Sequence, residues 1–174
     1  MSVVKFVAAM AACWLVASPA SAQNAKPTDP QIAHIAYTAG QIDIEAAKLA
    51  LDKSKNSAVR SFAEGMVRDH TAVNEKALAL VKKLKVTPQD NDTSKSLMKQ
   101  AAEKKAQLSK LNGAQFDKAY AENEVAYHKT VNGALQTVLI PSASNAELKD
   151  LLQTGLKVFQ GHQQHAETLV KDLK

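Results

Sequence analysis

His70, His128 and His162 each fall on the apolar stripe of a different helical pattern, so the residue spacing aims three imidazoles at one interior. Around His70 the stripe is Val59, Phe62, Ala63, Met66, Val73, Ala77, Leu80 and Leu84. Around His162 it is Leu148, Leu151, Val158, Phe159, Ala166, Leu169 and Leu173. His128 shares its face with Phe116, Tyr120, Tyr127, Val131, Leu135 and Val138, and Asp117 and Glu124 lie on that face too. A fourth stripe, Ile35, Ala39, Ile42, Ala46 and Leu49, leaves Asp43 near one edge and Glu45 near the other, and either carboxylate can turn inward. His34 and His165 project off their stripes and are expected to be exposed.

Neutral imidazole and carboxylate are the donors that a divalent ion such as Zn, Fe, Mn or Cu takes, and helix bundles build such sites from facing helices. The candidate ligands are therefore His70, His128, His162, Glu124, Asp43, Glu45 and Asp117. A second chemistry fits the same residues. Buried histidines bonded to Asp, Glu or Tyr across a bundle form a structural polar network without any metal. No catalytic residue is assigned. The glycines are isolated, so no loop cradles phosphate, and no serine sits at a strand-to-helix elbow.

Apolar residues recur at spacings of three and four almost to the end of the chain, with no sustained alternation, which predicts an all-α protein. The first helix is expected from Asp29-Pro30 to about Ser54, with Asp29 as its cap. Asn56 opens the second, which runs to about Val86 before Thr87-Pro88. A short third helix fits Thr93 to Leu111, and a fourth runs from about Ala114 to Ile140, where Pro141 ends it. Ser144-Asn145-Ala146-Glu147 has capping-box form and starts the last helix. Short breaks pair the first helix with the second and the fourth with the last as antiparallel hairpins, a four-helix bundle with an additional short crossover helix. Gly65, Gly133, Gly155 and Gly161 are read as places of close helix approach.

Residues 1–22 place Lys5 before an apolar run and end in Ala20-Ser21-Ala22, the form of a Sec signal peptide removed on export. The apolar core, Phe6 to Ala17, is too short to remain as a membrane span. Residues 23–29 follow as a flexible lead and 30–174 as a single bundle domain. Cys13 and Trp14, the chain's one cysteine and one tryptophan, both lie in the signal, so thiol catalysis, disulfides and Cys-based metal sites are excluded after cleavage. The net charge of +5 comes from interleaved lysines and glutamates without an aromatic-studded basic patch, which argues against nucleic acid as a partner.

Together these residues resemble a family of exported bacterial proteins, domain-of-unknown-function family 4142. The resemblance is carried by Ala39-Gly40 through Asp43-x-Glu45 to Lys48-Leu49-Ala50 and by Asn56-x-x-Val59-x-x-Phe62-Ala63-x-x-Met66-Val67-x-Asp69-His70. It continues in Phe116-Asp117-x-x-Tyr120, in His128, and in His162 followed by Ala166 and Leu169. It implies a ferritin-like bundle in the periplasm or at the cell envelope, often labelled an outer-membrane protein, with no established activity. Di-iron members of the ferritin-like group carry Glu-x-x-His on two helices, and this chain has Glu124-x-x-x-His128 and His162-x-x-His165 instead. That departure argues against oxidase chemistry. The expected roles are an envelope metal binder or, alternatively, a stress-associated structural or interaction module that binds another envelope protein.

Overall fold

The computed structural model describes residues 26–173, so the expected signal peptide 1–22 and the first residues of the lead lie outside the described residues. Among the described residues there are helices and no strands. They are α1 (Asp29–Lys53), α2 (Ser57–Lys83), α3 (Asp92–Ser109), α4 (Gly113–Ala134), a π-helical turn (Leu135–Leu139), α5 (Ile140–Ser142) and α6 (Ala146–Asp172).

Each helix end has a local cause. Thr28, not Asp29, is the N-cap of α1, and its amide donates to Gln31 Oε1 at 3.0 Å. Asp29 instead reaches across the bundle, where its carboxylate accepts from the Ser144 and Asn145 amides at 2.8 and 2.9 Å and ties the start of α1 to the start of α6. Asn145, rather than Ser144, caps α6 by accepting from the Leu148 amide. Asn56 caps α2 by accepting from Ala58 and Val59. α2 stops at Lys83, earlier than its apolar pattern suggests. Lys85 adopts a left-handed conformation (φ 54°), Val86 donates back to the Val81 carbonyl and Lys85 to that of Lys82, a Schellman closure.

Pro141 does not end the fourth helix. It lacks an amide and its ring would crowd the Thr137 carbonyl four residues back, and the chain widens ahead of it into the π turn, where the Ile140 amide bonds five residues back to Leu135. The helical path then continues through Ser142.

α1 and α2 form one antiparallel hairpin and α4 and α6 the other, while α2 packs on α6 and α3 crosses over α1 to the start of α4. The result is an antiparallel four-helix bundle with a crossover helix. Its core is split in two. One cluster, around Phe62, Met66, Phe116, Tyr120, Ala166 and Leu169, fills the end where α4 begins. The other, around Ile32, Ile35, Leu139, Leu148, Leu152 and Phe159, fills the end where α6 begins.

The glycines expected to permit close approach do not all do so. A Cβ on Gly133 or Gly161 would meet open space, one on Gly65 would meet Arg68 Nη2 at 3.7 Å, and one on Gly155 would make ordinary contact with Phe159. Gly40 is the tight position, because a Cβ there would overlap Asn74 Oδ1 and lie 2.9 Å from its Nδ2. Asn74 is buried, so its amide cannot swing into solvent. Gly40→Ala is therefore expected to destabilise the protein by about 1–2 kcal/mol in denaturant unfolding, overpacking outweighing the roughly 1 kcal/mol that alanine contributes in a helix. In an Asn74→Ala background the same Gly40→Ala step should become neutral or stabilising.

Candidate metal centre

Between the two apolar clusters lies a polar layer supplied by all four long bundle helices. α1 contributes Asp43, α2 His70, α4 Glu124 and His128, and α6 His162. Asp43 is 2% exposed and His70, Glu124 and His128 are each 1% exposed, whereas the His162 side chain, at 12%, sits at the edge of the layer. Helical period accounts for the α4 pair, since residues four apart stack on one face.

The three imidazoles form a nearly equilateral triangle. Ring centroids are 5.8 Å apart for His70 and His128, 5.2 Å for His70 and His162, and 5.6 Å for His128 and His162. One ring nitrogen from each lies within 4.8 Å of the others, and a second group, Asp43, Glu124 and His128, meets the same limit. Asp43 Oδ2 links the groups, at 3.4 Å from His70 Nε2 and 4.0 Å from His128 Nε2. Phe159 stacks on His70 with centroids 4.5 Å apart and planes 6° apart, closing the layer on the α6 side.

Hydrogen bonds fix two of the three tautomers. His128 Nδ1 lies 3.0 Å from the Glu124 carbonyl oxygen, an acceptor, so Nδ1 carries the proton and Nε2 presents a lone pair. His162 Nε2 lies 3.1 Å from Asp69 Oδ2 and donates to it, which leaves Nδ1 unprotonated. Asp69 is itself held by the Arg68 guanidinium at 2.8 Å. The nitrogens left over, His128 Nε2 and His162 Nδ1, are buried without a hydrogen-bond partner, as are both nitrogens of His70 and Glu124 Oε2. Buried polar atoms normally find partners, and five of those without one gather in this layer.

Burial dominates the electrostatics. Loss of solvent pushes His70 down to about 2, reinforced by the neighbouring imidazoles, and His128 down to about 4, the latter opposed by its bond to the Glu124 carbonyl. His162 is lowered by burial against the opposing pull of Asp69. Burial raises Glu124 to about 7 and raises Asp43 well above its ordinary value, the latter reinforced by the neighbouring Glu124 carboxyl. Asp69 moves the other way, lowered first by Arg68.

The candidate ligands do not all meet. His70, His128, His162, Asp43 and Glu124 are brought together. Glu45 is exposed on the opposite flank of α1 and pairs with Lys48 at 3.0 Å and Lys105 at 3.6 Å. Asp117 is buried, but it precedes Glu124 by two helical turns, about 10 Å along the axis. His165 is exposed and edge-on to Phe62, whereas His34 is half-buried. Asp69, which the sequence places only within the family motif, pairs with Arg68 and also accepts from His162 on another helix. Tyr127, which its spacing places on the buried face with His128, donates its hydroxyl to the Ala39 carbonyl at 3.1 Å, bracing α4 against α1 beside the layer.

Comparison with known proteins bears on both fold and family. The family described as Domain of unknown function (DUF4142) matches residues 15–169. No curated protein matches the chain. Among solved structures, one titled "CopM in the Cu(II)-bound form" is similar at a TM-score of 0.65 and 11% identity, covering 86% of this chain and all of that one. No helix among the described residues is long and apolar enough to cross a membrane.

Acid and base act on the layer with opposite signs. Below about pH 6.5 the unfolded chain charges its imidazoles, but the folded chain resists until about 4 at His128 and about 2 at His70, so acid favours unfolding across that window. The carboxyl pair instead keeps in the folded state, up to about pH 7 at Glu124, a proton that the unfolded chain releases near 4.5. Asp43 is raised in the folded state as well, so between about pH 4.5 and 6.5 the imidazoles and the carboxyls oppose one another. With His70→Gln and His128→Gln removing the imidazoles, the metal-free protein should therefore lose on the order of 1 kcal/mol of stability per unit as pH rises from about 4.5 to 7 through Glu124. Denaturant unfolding across pH checks this, and Glu124→Gln should instead steepen the loss of stability as pH falls from about 6.5 toward 4.

Proposed function

The chain belongs to the DUF4142 family, and we propose that it is an exported protein of the cell envelope that binds a divalent metal ion in the layer between its two cores. The observation that carries this reading is the set of unpartnered nitrogens on three convergent imidazoles. A structural polar network would pair those atoms with one another. Here His128 and His162 turn their protonated nitrogens away to a carbonyl and a carboxylate and present lone pairs, the outer arrangement usual for metal-ligating histidines.

The spacing of the rings fits an ion. A point equidistant from the three centroids lies about 3.2 Å from each, which matches a metal–nitrogen bond of about 2.0–2.1 Å extended by the roughly 1.1 Å from nitrogen to ring centre. His70, His128 and His162 would hold the ion, with Asp43 as fourth donor. A proton held on Glu124 would leave Asp43 ionised to face the cation. Three imidazoles with one carboxylate suit Cu(II) and Zn(II) better than Mn(II), and divalent affinities rise toward copper. The copper-bound title of the structurally similar protein agrees with that order. The bound metal would supply Lewis acidity or, for copper, redox capacity. The protein's residues supply a dry, rigid and shielded cage, which suits sequestration or delivery rather than turnover.

One equivalent of Cu(II) or Zn(II) added to metal-stripped protein should raise its melting temperature by several degrees, since free ligand at about a hundred times its Kd adds about 2.7 kcal/mol. His70→Ala and His162→Ala should abolish the shift, and His165→Ala should leave it intact. Unchanged metal uptake in both of the first two variants would refute the site. Asp69→Asn is expected to weaken binding by about 10–100-fold without touching the ion, because it loosens the hold on His162.

A further inference from the structure

The half of the bundle on the far side of Phe159 contains a cavity of about 770 Å³ that the metal reading does not use. Its volume lies within the range of small-molecule sites. Ile35 of α1, Val73 of α2, Leu97 of α3, Leu135 of the π turn and Leu152 and Phe159 of α6 contribute to its walls. Charge appears in the lining at Lys26 and Asp92, which stand with Gln31 and Asn91 where the lead and the start of α3 border it.

Two features show that this space is more than loose packing. Four of the five residues of the π turn border it, Leu135, Thr137, Val138 and Leu139, so the widened stretch of α4 is the stretch that faces the cavity. Such turns recur at functional sites because regular helix geometry is given up to form them. The lining is also long along the bundle axis. It runs from Gln31 to Ala39 on α1, from Val73 to Val81 on α2 and from Thr130 to Ser142 at the end of α4, about 12 to 18 Å along the axis at 1.5 Å per residue. Aliphatic walls around so much space leave dispersion contacts unmade.

We propose that this cavity binds a single hydrocarbon chain of roughly ten carbons, lying along the bundle axis with its polar end at the rim beside Lys26, Gln31 and Asn91. The chain-like shape follows from the length and the aliphatic walls. The rim carries one cation, one anion and two amides, so it tolerates a polar head without selecting a charged one. The inference rests on the cavity alone and stands whether or not the histidine layer holds a metal.

Calorimetric titration of purified metal-free protein with decanoate and with decanol, both below micellar concentration, tests it. Saturable one-to-one binding of both is expected, with affinity rising about two- to fourfold per methylene from the octyl to the dodecyl members. Ala36→Phe from α1 and Ala134→Phe from α4 each fill the space from a different wall and should reduce affinity at least tenfold. Entering from separate helices, a folding defect in one leaves the other to be read, with helical circular dichroism and melting temperature as the check. Absence of saturable binding, affinity indifferent to chain length, or full affinity in a folded filling variant would overturn the proposal. Binding of decanoate without decanol would overturn it as well, by showing capture of an anion at Lys26 rather than of a hydrocarbon.

Discussion

Five ionisable side chains held between two apolar clusters are the constraint to which much of this molecule answers. Removing imidazoles and carboxyls from water is costly unless each finds a partner or gives up its charge. The layer does both. Its histidines are held neutral, burial pushes its two carboxyls toward their protonated forms, and backbone or edge carboxylate groups take the N–H of two rings. The apolar clusters on either side make the layer dry, and they also supply the burial that lets the fold carry it. Bracing contacts gather nearby. Tyr127 bonds to Ala39 one turn before Asp43, and Asn74 fills the notch left by Gly40 one turn beyond His70.

Much of this layer was legible in the sequence because helical period is a strong constraint. His70 lies four residues after Met66, His128 eight after Tyr120 and His162 three after Phe159, and each inherits the orientation of a residue that must be buried. Asp43 and Glu45 show where the signal ends. Two positions apart on a helix means about 200° of rotation, so one of them had to face outward, but both stood about equally far from the centre of the stripe. Packing of α1 on α2 turns Asp43 in and leaves Glu45 to the lysines. Asp117 misled differently, since projection down an axis fixes direction but discards height. The Asp69–His162 bond joins the flanks of two helices 93 residues apart, and nothing local encodes such a pairing.

Helix ends were less legible for related reasons. A left-handed position usually advertises itself as glycine, yet Lys85 adopts it because a Schellman closure satisfies the last carbonyls of α2. Asp29 resembles a cap in sequence and is employed on a different helix 115 residues away. The likeness to a copper-bound protein at 11% identity fits this division. What such a likeness shows the two chains to share is the packing of helices.

The π turn implies something about how this chain compares with any relative whose fourth helix is regular. Five residues closing a turn that four would ordinarily close amounts to one inserted position. Each residue beyond it is rotated by about a quarter-turn relative to an uninterrupted helix. A correct superposition of sequences through this region therefore demands a one-residue gap between Leu135 and Leu139. Without that gap, every match from Ile140 to Ser142 would be set about a quarter-turn out of register.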